Sequence, residues 1–168
     1  MTEDAAALDR FVAALEEAAD RQAAFAALSA LVADTLGPHL FTVMTLDWRD
    51  GLARRAFSNQ PDAYPVSGDK PIVRNAWFET IHDRGEIFVA NTIAEIAQVF
   101  PDADTIAGLG CGSVANLPVR LRGTTVGTLN LLDAEGFFDA ATVARCKALL
   151  RLPAMAAWLV AEEPGPSA

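Results

Sequence analysis

The chain has 168 residues, 52% apolar and 21% charged, enough for one buried core and not the composition of a disordered chain. Its formal net charge is −9, and an acidic surface repels phosphate backbones and anionic lipid, so neither nucleic acid nor membrane surface is an expected partner. Each long Ala/Leu stretch is interrupted by Asp, Glu or Arg before it could span a bilayer. The start, Met-Thr-Glu-Asp-Ala, lacks the basic region of a secretory signal, and two cysteines, Cys111 and Cys146, make no disulfide framework. A cytoplasmic, reducing setting is the expectation.

Residues 3–36 carry helical patterning. Leu8, Phe11, Val12 and Leu15 form one apolar stripe, and Phe25, Leu28, Leu31, Val32 and Leu36 form a second. Asp20 is the expected cap that divides them, and Gly37-Pro38 is a strong stop. Residues 1–19 are thus an N-terminal helix available for pairing two copies. Residues 40–48 and 52–57 read as a hairpin about Asp50-Gly51. Residues 58–71, with Pro61, Pro65 and Pro71, read as a loop long enough to be functional or mobile.

Residues 72–83 read as a helix bearing Trp77, Phe78 and Ile81 and closing at Arg84-Gly85. A short strand over 86–90 follows. Thr92 is placed to cap a helical piece over 93–100, and another short helix follows over 101–109. Two β-rich runs, 113–121 and 125–132, flank the tight break Arg122-Gly123-Thr124 as a second hairpin. Pro118 marks an edge, a bulge or a bend in the first run, and Gly127 a bulge or a close backbone approach in the second. Asp139 should cap a last helix running to about residue 160, which Pro153 should kink or divide. Residues 161–168 read as a disordered tail, leaving 20–160 as a single domain. Hairpins between helices give an α+β chain with an antiparallel sheet.

The segments Ser-Val-Ala-Asn-Leu-Pro-Val (113–119), Arg-Gly-Thr-Thr-Val-Gly-Thr-Leu-Asn-Leu-Leu (122–132) and the helix-to-strand stretch 77–91 resemble the GAF domain family. Members of that family look like S-x-L-x-V-P-L followed by G-x-x-I-G-V-L-x-L and a terminal helix. Ser113, Pro118, Gly123, Gly127, Leu129 and Leu131 fall at matching positions. The resemblance implies a central antiparallel sheet of five to six strands. Terminal helices would lie on one face, and connecting helices and loops over the other. It implies a small-molecule sensing module of bacterial-type signalling, holding its ligand noncovalently between the sheet and residues 72–109. It also implies a homodimer through the terminal helices. Family ligands range from cyclic nucleotides and tetrapyrroles to amino acids and oxo-acids, and some members bind nothing known, so ligand and cofactor identity stay open.

Candidate ligand-binding residues are Trp77, Phe78, His82, Asn91, Ser113, Asn116 and Asn130. Trp77 with Ile81, and Phe78 with His82, define adjacent faces of one short helix. Asn116 and Asn130 interrupt apolar strands, and a buried amide needs a partner. Asn130 would share a face with Val126 and Thr128. The plainer readings are aromatic core, a helix-end histidine, and amides bonded to nearby backbone. Arg54-Arg55 reads as a solvated face. Cys111, between two glycines, is the one weak catalytic candidate. With it the chain would be a redox enzyme resembling free methionine sulfoxide reductases, but those need a resolving cysteine before this strand, and Cys146 lies on the terminal helix. A third reading is a ligand-free dimerisation module. No metal site is expected, because His39 and His82 stand far apart without clustered ligands.

Overall fold

The computed structural model describes residues 2–66 and 68–163 of the chain. Asp20 is the cap its sequence context suggests: its carboxylate accepts from Ala23 N at 2.8 Å, separating α1 (Glu3–Glu16) from α2 (Arg21–Thr35). Gly37, with φ of 59°, takes the left-handed turn that releases the chain from α2. Strands β1 (Leu40–Asp47) and β2 (Leu52–Ser58) form the first hairpin.

The proline-rich stretch is not wholly loop. Asp69–Pro71 is a third strand, β3, paired to the outer edge of β2. Pro71 is tolerated there because an edge strand has one side free of ladder bonds. Helix α3 (Ala76–Phe78) then begins later than the sequence suggests, at the side-chain cap Asn75, which leaves residues 72–74 outside the helix. It continues as a π-helical turn, Glu79–Arg84, that ends on Gly85 with φ of 64°. After β4 (Phe88–Ala90), Thr92 and Glu95 build a full capping box on α4 (Ile93–Ala97), and α5 (Ala103–Gly108) follows.

The second hairpin is β5 (Ser113–Leu121) and β6 (Thr124–Asp133). Arg122 and Gly123 have φ of 51° and 81°, as the tight turn between them requires. Asp139 caps α6 (Ala140–Glu162), which runs undivided through Pro153. Residues 161 and 162 are therefore helical and Glu163 is the C-cap, while the remainder of the expected tail, 164–168, lies outside the described residues.

All strands join one antiparallel sheet in the order β3-β2-β1-β6-β5-β4. Its class is the expected one: α+β, six strands, terminal helices on one face. Phe41 and Val43 of β1, Ala115, Leu117 and Val119 of β5, and Leu129 and Leu131 of β6 meet Phe11, Phe25, Leu28, Leu150 and Trp158 from α1, α2 and α6. No described helix is long and apolar enough to cross a membrane.

Two bulges set which side chains reach the opposite face. In β2, Val43 faces Phe57 and Met44 faces Arg55, so Ala56 is an extra residue. A bulge reverses the alternation of a strand. Phe57 therefore packs with the helix-side core, while Ala53 and Arg55 turn to the other side. In β6, Val119 faces Gly127 and Arg120 faces Thr125, which makes Val126 the extra residue. Val126 thus packs toward the helix side and does not share the face of Thr128 and Asn130, correcting the simple alternation read from sequence.

Candidate functional site

The face of the sheet away from α1, α2 and α6 is roofed by the connections that follow β3 and β4, with a cavity of about 350 Å³ beneath. Met44, Ala53, Val114 and Leu132 floor it from four strands, and Trp77, Phe100 and Ile106 belong to its roof. Apolar walls of this volume with few polar groups are what small-molecule sites are made of.

The polar groups fall into two sets. The first is a buried chain of amides in the sheet: Asn116 Nδ2 donates to Asn130 Oδ1 at 2.6 Å, and Asn130 Nδ2 donates to Thr42 Oγ1 at 3.1 Å. Asn116 and Asn130 are direct cross-strand partners between β5 and β6, which is why two asparagines separated by a hairpin meet. Asn116 Oδ1 is left without a hydrogen bond to any described residue. Trp77 Nε1, from the roof, is unpartnered in the same way.

The second set is charged. Arg55 is only 4% exposed. Its guanidinium lies 3.6 Å from the centre of the Tyr64 ring, and Nη1 donates to the Pro65 carbonyl at 2.7 Å. Tyr64 donates its hydroxyl to Asp102 Oδ2 at 2.6 Å, tying the proline-rich loop to the start of α5. Burial, with the Asp102 carboxylate beside it, raises the Tyr64 pKa well above its ordinary value, so the phenol keeps its proton. Arg55 and Lys70 stand 3.8 and 3.6 Å from the same carboxylate, ion-pair range but not tight hydrogen bonds. Arg55 Nε, buried, bonds none of the described residues.

Of the sequence candidates, the fold brings Trp77, Asn116 and Asn130 to the cavity. The other four lie outside its lining, each for a local reason. Phe78 points away from Trp77 and stacks on His82 at 4.6 Å, with Trp48 against both rings. His82 is partly exposed, with Nδ1 2.7 Å from Asp83 Oδ1. Asn91 clamps the turn before α6: its Nδ2 donates to the Phe138 carbonyl at 2.9 Å and its Oδ1 accepts from Phe138 N at 3.1 Å. Ser113, fully buried, donates to the Ala134 carbonyl at 2.6 Å. Thr42, Arg55, Tyr64, Lys70 and Asp102 were not singled out as site residues from the sequence. Arg54 is indeed exposed and paired with Asp69, but Arg55 beside it is buried, because successive residues take opposite faces.

Cys111 lies in an apolar cluster with Leu40, Ile106, Val114 and Leu132. Burial, then the nearby Asp133 charge, pushes its thiol up to about 11, and burial does the same to Cys146. The thiolate is the nucleophile, so Cys111 is held in its unreactive form. Both thiols keep their protons in the folded chain above the pH at which an unfolded thiol loses them. Their contribution to stability is complete below pH 9 and falls as pH rises through about 11. Urea midpoints should therefore drop more steeply between those limits in the native chain than in the Cys111→Ala, Cys146→Ala double variant. Equal slopes would show that the thiols are not buried as described. No group of three or more His, Cys, Asp or Glu side chains suited to a metal ion occurs among the described residues.

An antiparallel sheet with terminal helices on one face and a roofed cavity on the other is the GAF fold, and the chain has it. It is similar to the GAF domain of an Acinetobacter phosphoenolpyruvate-protein phosphotransferase, at 16% identity and a TM-score of 0.71 over 96% of this chain and 94% of that one. The GAF domain of the corresponding protein from Coxiella burnetii gives 14% and 0.70 over 95% and 93%. The GAF domain of a two-component sensor histidine kinase from Bacillus halodurans gives 11% and 0.65 over 82% and 92%. The sequence matches no protein-family model and no curated protein at a significant level. At these identities the likeness is one of fold.

Proposed function

We propose that the protein is a sensing module that binds a small molecule noncovalently in the cavity between the sheet and residues 72–109. One observation carries the reading: a largely apolar hollow of about 350 Å³ whose lining includes Arg55, Trp77 and Asn116, each with a buried polar atom that bonds none of the described residues. A buried polar atom without a partner costs about 1–3 kcal/mol, and a ligand that bonds these atoms recovers that cost. A ligand-free dimerisation module has no use for such a hollow. The signalling context rests on the fold neighbours, among them a two-component sensor histidine kinase domain and a methyl-accepting chemotaxis protein. Pairing of two copies through the terminal helices belongs to the same reading. It is supported by exposed Leu152 and Leu159, which are seven residues apart and so share a face of α6.

Native mass spectrometry of the protein as purified is the test. The expected spectrum carries a small noncovalent mass increment, on a dimer. Ala53→Phe, which sends a ring from β2 into the hollow, should remove the increment and leave the circular dichroism spectrum unchanged. A bare mass, together with no thermal shift across a metabolite library, would overturn the binding reading. A monomer at micromolar concentration would overturn the pairing.

A further inference from the structure

We infer that the molecule held in this cavity is an apolar-bodied monocarboxylate whose anionic group is received by Arg55. The inference rests on the cavity being a binding site at all, as proposed above.

The charge at the site points the opposite way from the charge of the chain. The protein carries a formal −9, yet the charged residues lining the cavity are Arg55, Lys70 and Asp102, one positive charge in excess. The excess is buried with Arg55. A guanidinium has five N–H donors arranged in a planar fork, and its N–H groups want acceptors when removed from water. Here Nη1 is used by the Pro65 carbonyl, while the Asp102 carboxylate stands 3.8 Å from Nη2 and already accepts the Tyr64 hydroxyl. Nε bonds none of the described residues. A buried cation that its own protein only half satisfies carries an uncompensated desolvation cost, which a bound anion would offset. The stacked Tyr64 ring and the Pro65 bond hold it in one orientation, which makes it a fixed receptor.

The remainder of the lining says what the anion is attached to. Met44, Ile72, Val99, Phe100 and Val114 offer no hydrogen bonds, so the body of the ligand is apolar. Trp77 Nε1 offers one more donor and Asn116 Oδ1 one acceptor. A single anionic group on an aliphatic or aromatic body, with at most one added hydroxyl, matches one excess cation set among mostly apolar side chains. A polyphosphate or dicarboxylate does not, because only one cation is in excess and most of the remaining wall is apolar.

Isothermal titration of the full chain with 4-hydroxyphenylacetate, 3-phenylpropionate and 4-methylpentanoate, each against its own primary amide, tests this. The amides keep shape and apolar body and lose only the charge. A hydrogen bond to a charged group is worth about 1.5–3 kcal/mol, so at least one acid should bind about tenfold or more tightly than its amide. Arg55→Gln should erase that ratio and leave amide binding in place. Because Arg55 is buried, Lys70→Gln, at a half-buried position, guards against a folding failure: it should narrow the ratio several-fold with an unchanged circular dichroism spectrum. Equal binding of acids and amides would overturn the monocarboxylate and leave the binding site standing. Failure of every acid and amide to bind would overturn the monocarboxylate, and the binding site would then stand or fall on its own mass spectrum. A ratio unchanged by both variants would move the anion away from this end of the cavity.

Discussion

Replacing Trp158 by alanine should lower the stability of the protein by about 3–5 kcal/mol, the usual cost of emptying a large aromatic site in a packed core. Trp158 is 2% exposed. From α6 its ring meets Phe25 of α2 at 5.3 Å between centres, tilted by 54°, and its far edge lies on β6 at Gly127. One side chain thus joins two helices to the sheet. Removing it leaves a hole bounded by three elements that cannot all collapse inward together. Urea unfolding followed by circular dichroism reads the effect. A loss under 1 kcal/mol would mean that the ring does not hold the helical layer to the sheet.

Gly127→Ala should cost about 1–3 kcal/mol or more, although it adds a single methyl group. A Cβ built on Gly127 would run into Cη2 and Cζ2 of Trp158 and into the Met44 carbonyl oxygen. The indole has some freedom to tilt. The carbonyl has little, since it belongs to the β1 backbone, whose residue Thr45 is the cross-strand partner of Gly127. The two substitutions should therefore fail to add. In a Trp158→Ala background Gly127→Ala should cost less, because the ring is gone, and still cost something, because the carbonyl remains. Strict additivity in that double-mutant cycle would argue that ring and glycine do not touch.

Much of this architecture could be read from local chemistry. Asp20, Thr92 and Asp139 sit where side-chain caps were expected, and the Arg122-Gly123 turn lies between the two strands it was read to join. Each of these signals spans only a few residues. The readings that went astray depend on partners far away in sequence. The strand Asp69–Pro71 exists because β2 offers it an edge, and nothing within the prolines announces that. Arg55 is a sharper case. Counting by twos from Phe57 puts Arg55 on the helix-side face, and only the extra residue Ala56 sends it to the cavity. Its companions Tyr64, Pro65 and Asp102 come from a loop and from the start of α5. Asn116 and Asn130 were visible as polar breaks in apolar runs, whereas their meeting required the register of the hairpin.

The two outermost strands of the sheet have three residues each. Asp69, Lys70 and Pro71 make one of them a poor template for a neighbour: two charges, and a ring where a donor would be needed. Sideways growth by adding strands from other molecules is thus discouraged at both margins. An otherwise long ladder is thereby kept from becoming the seed of a fibre.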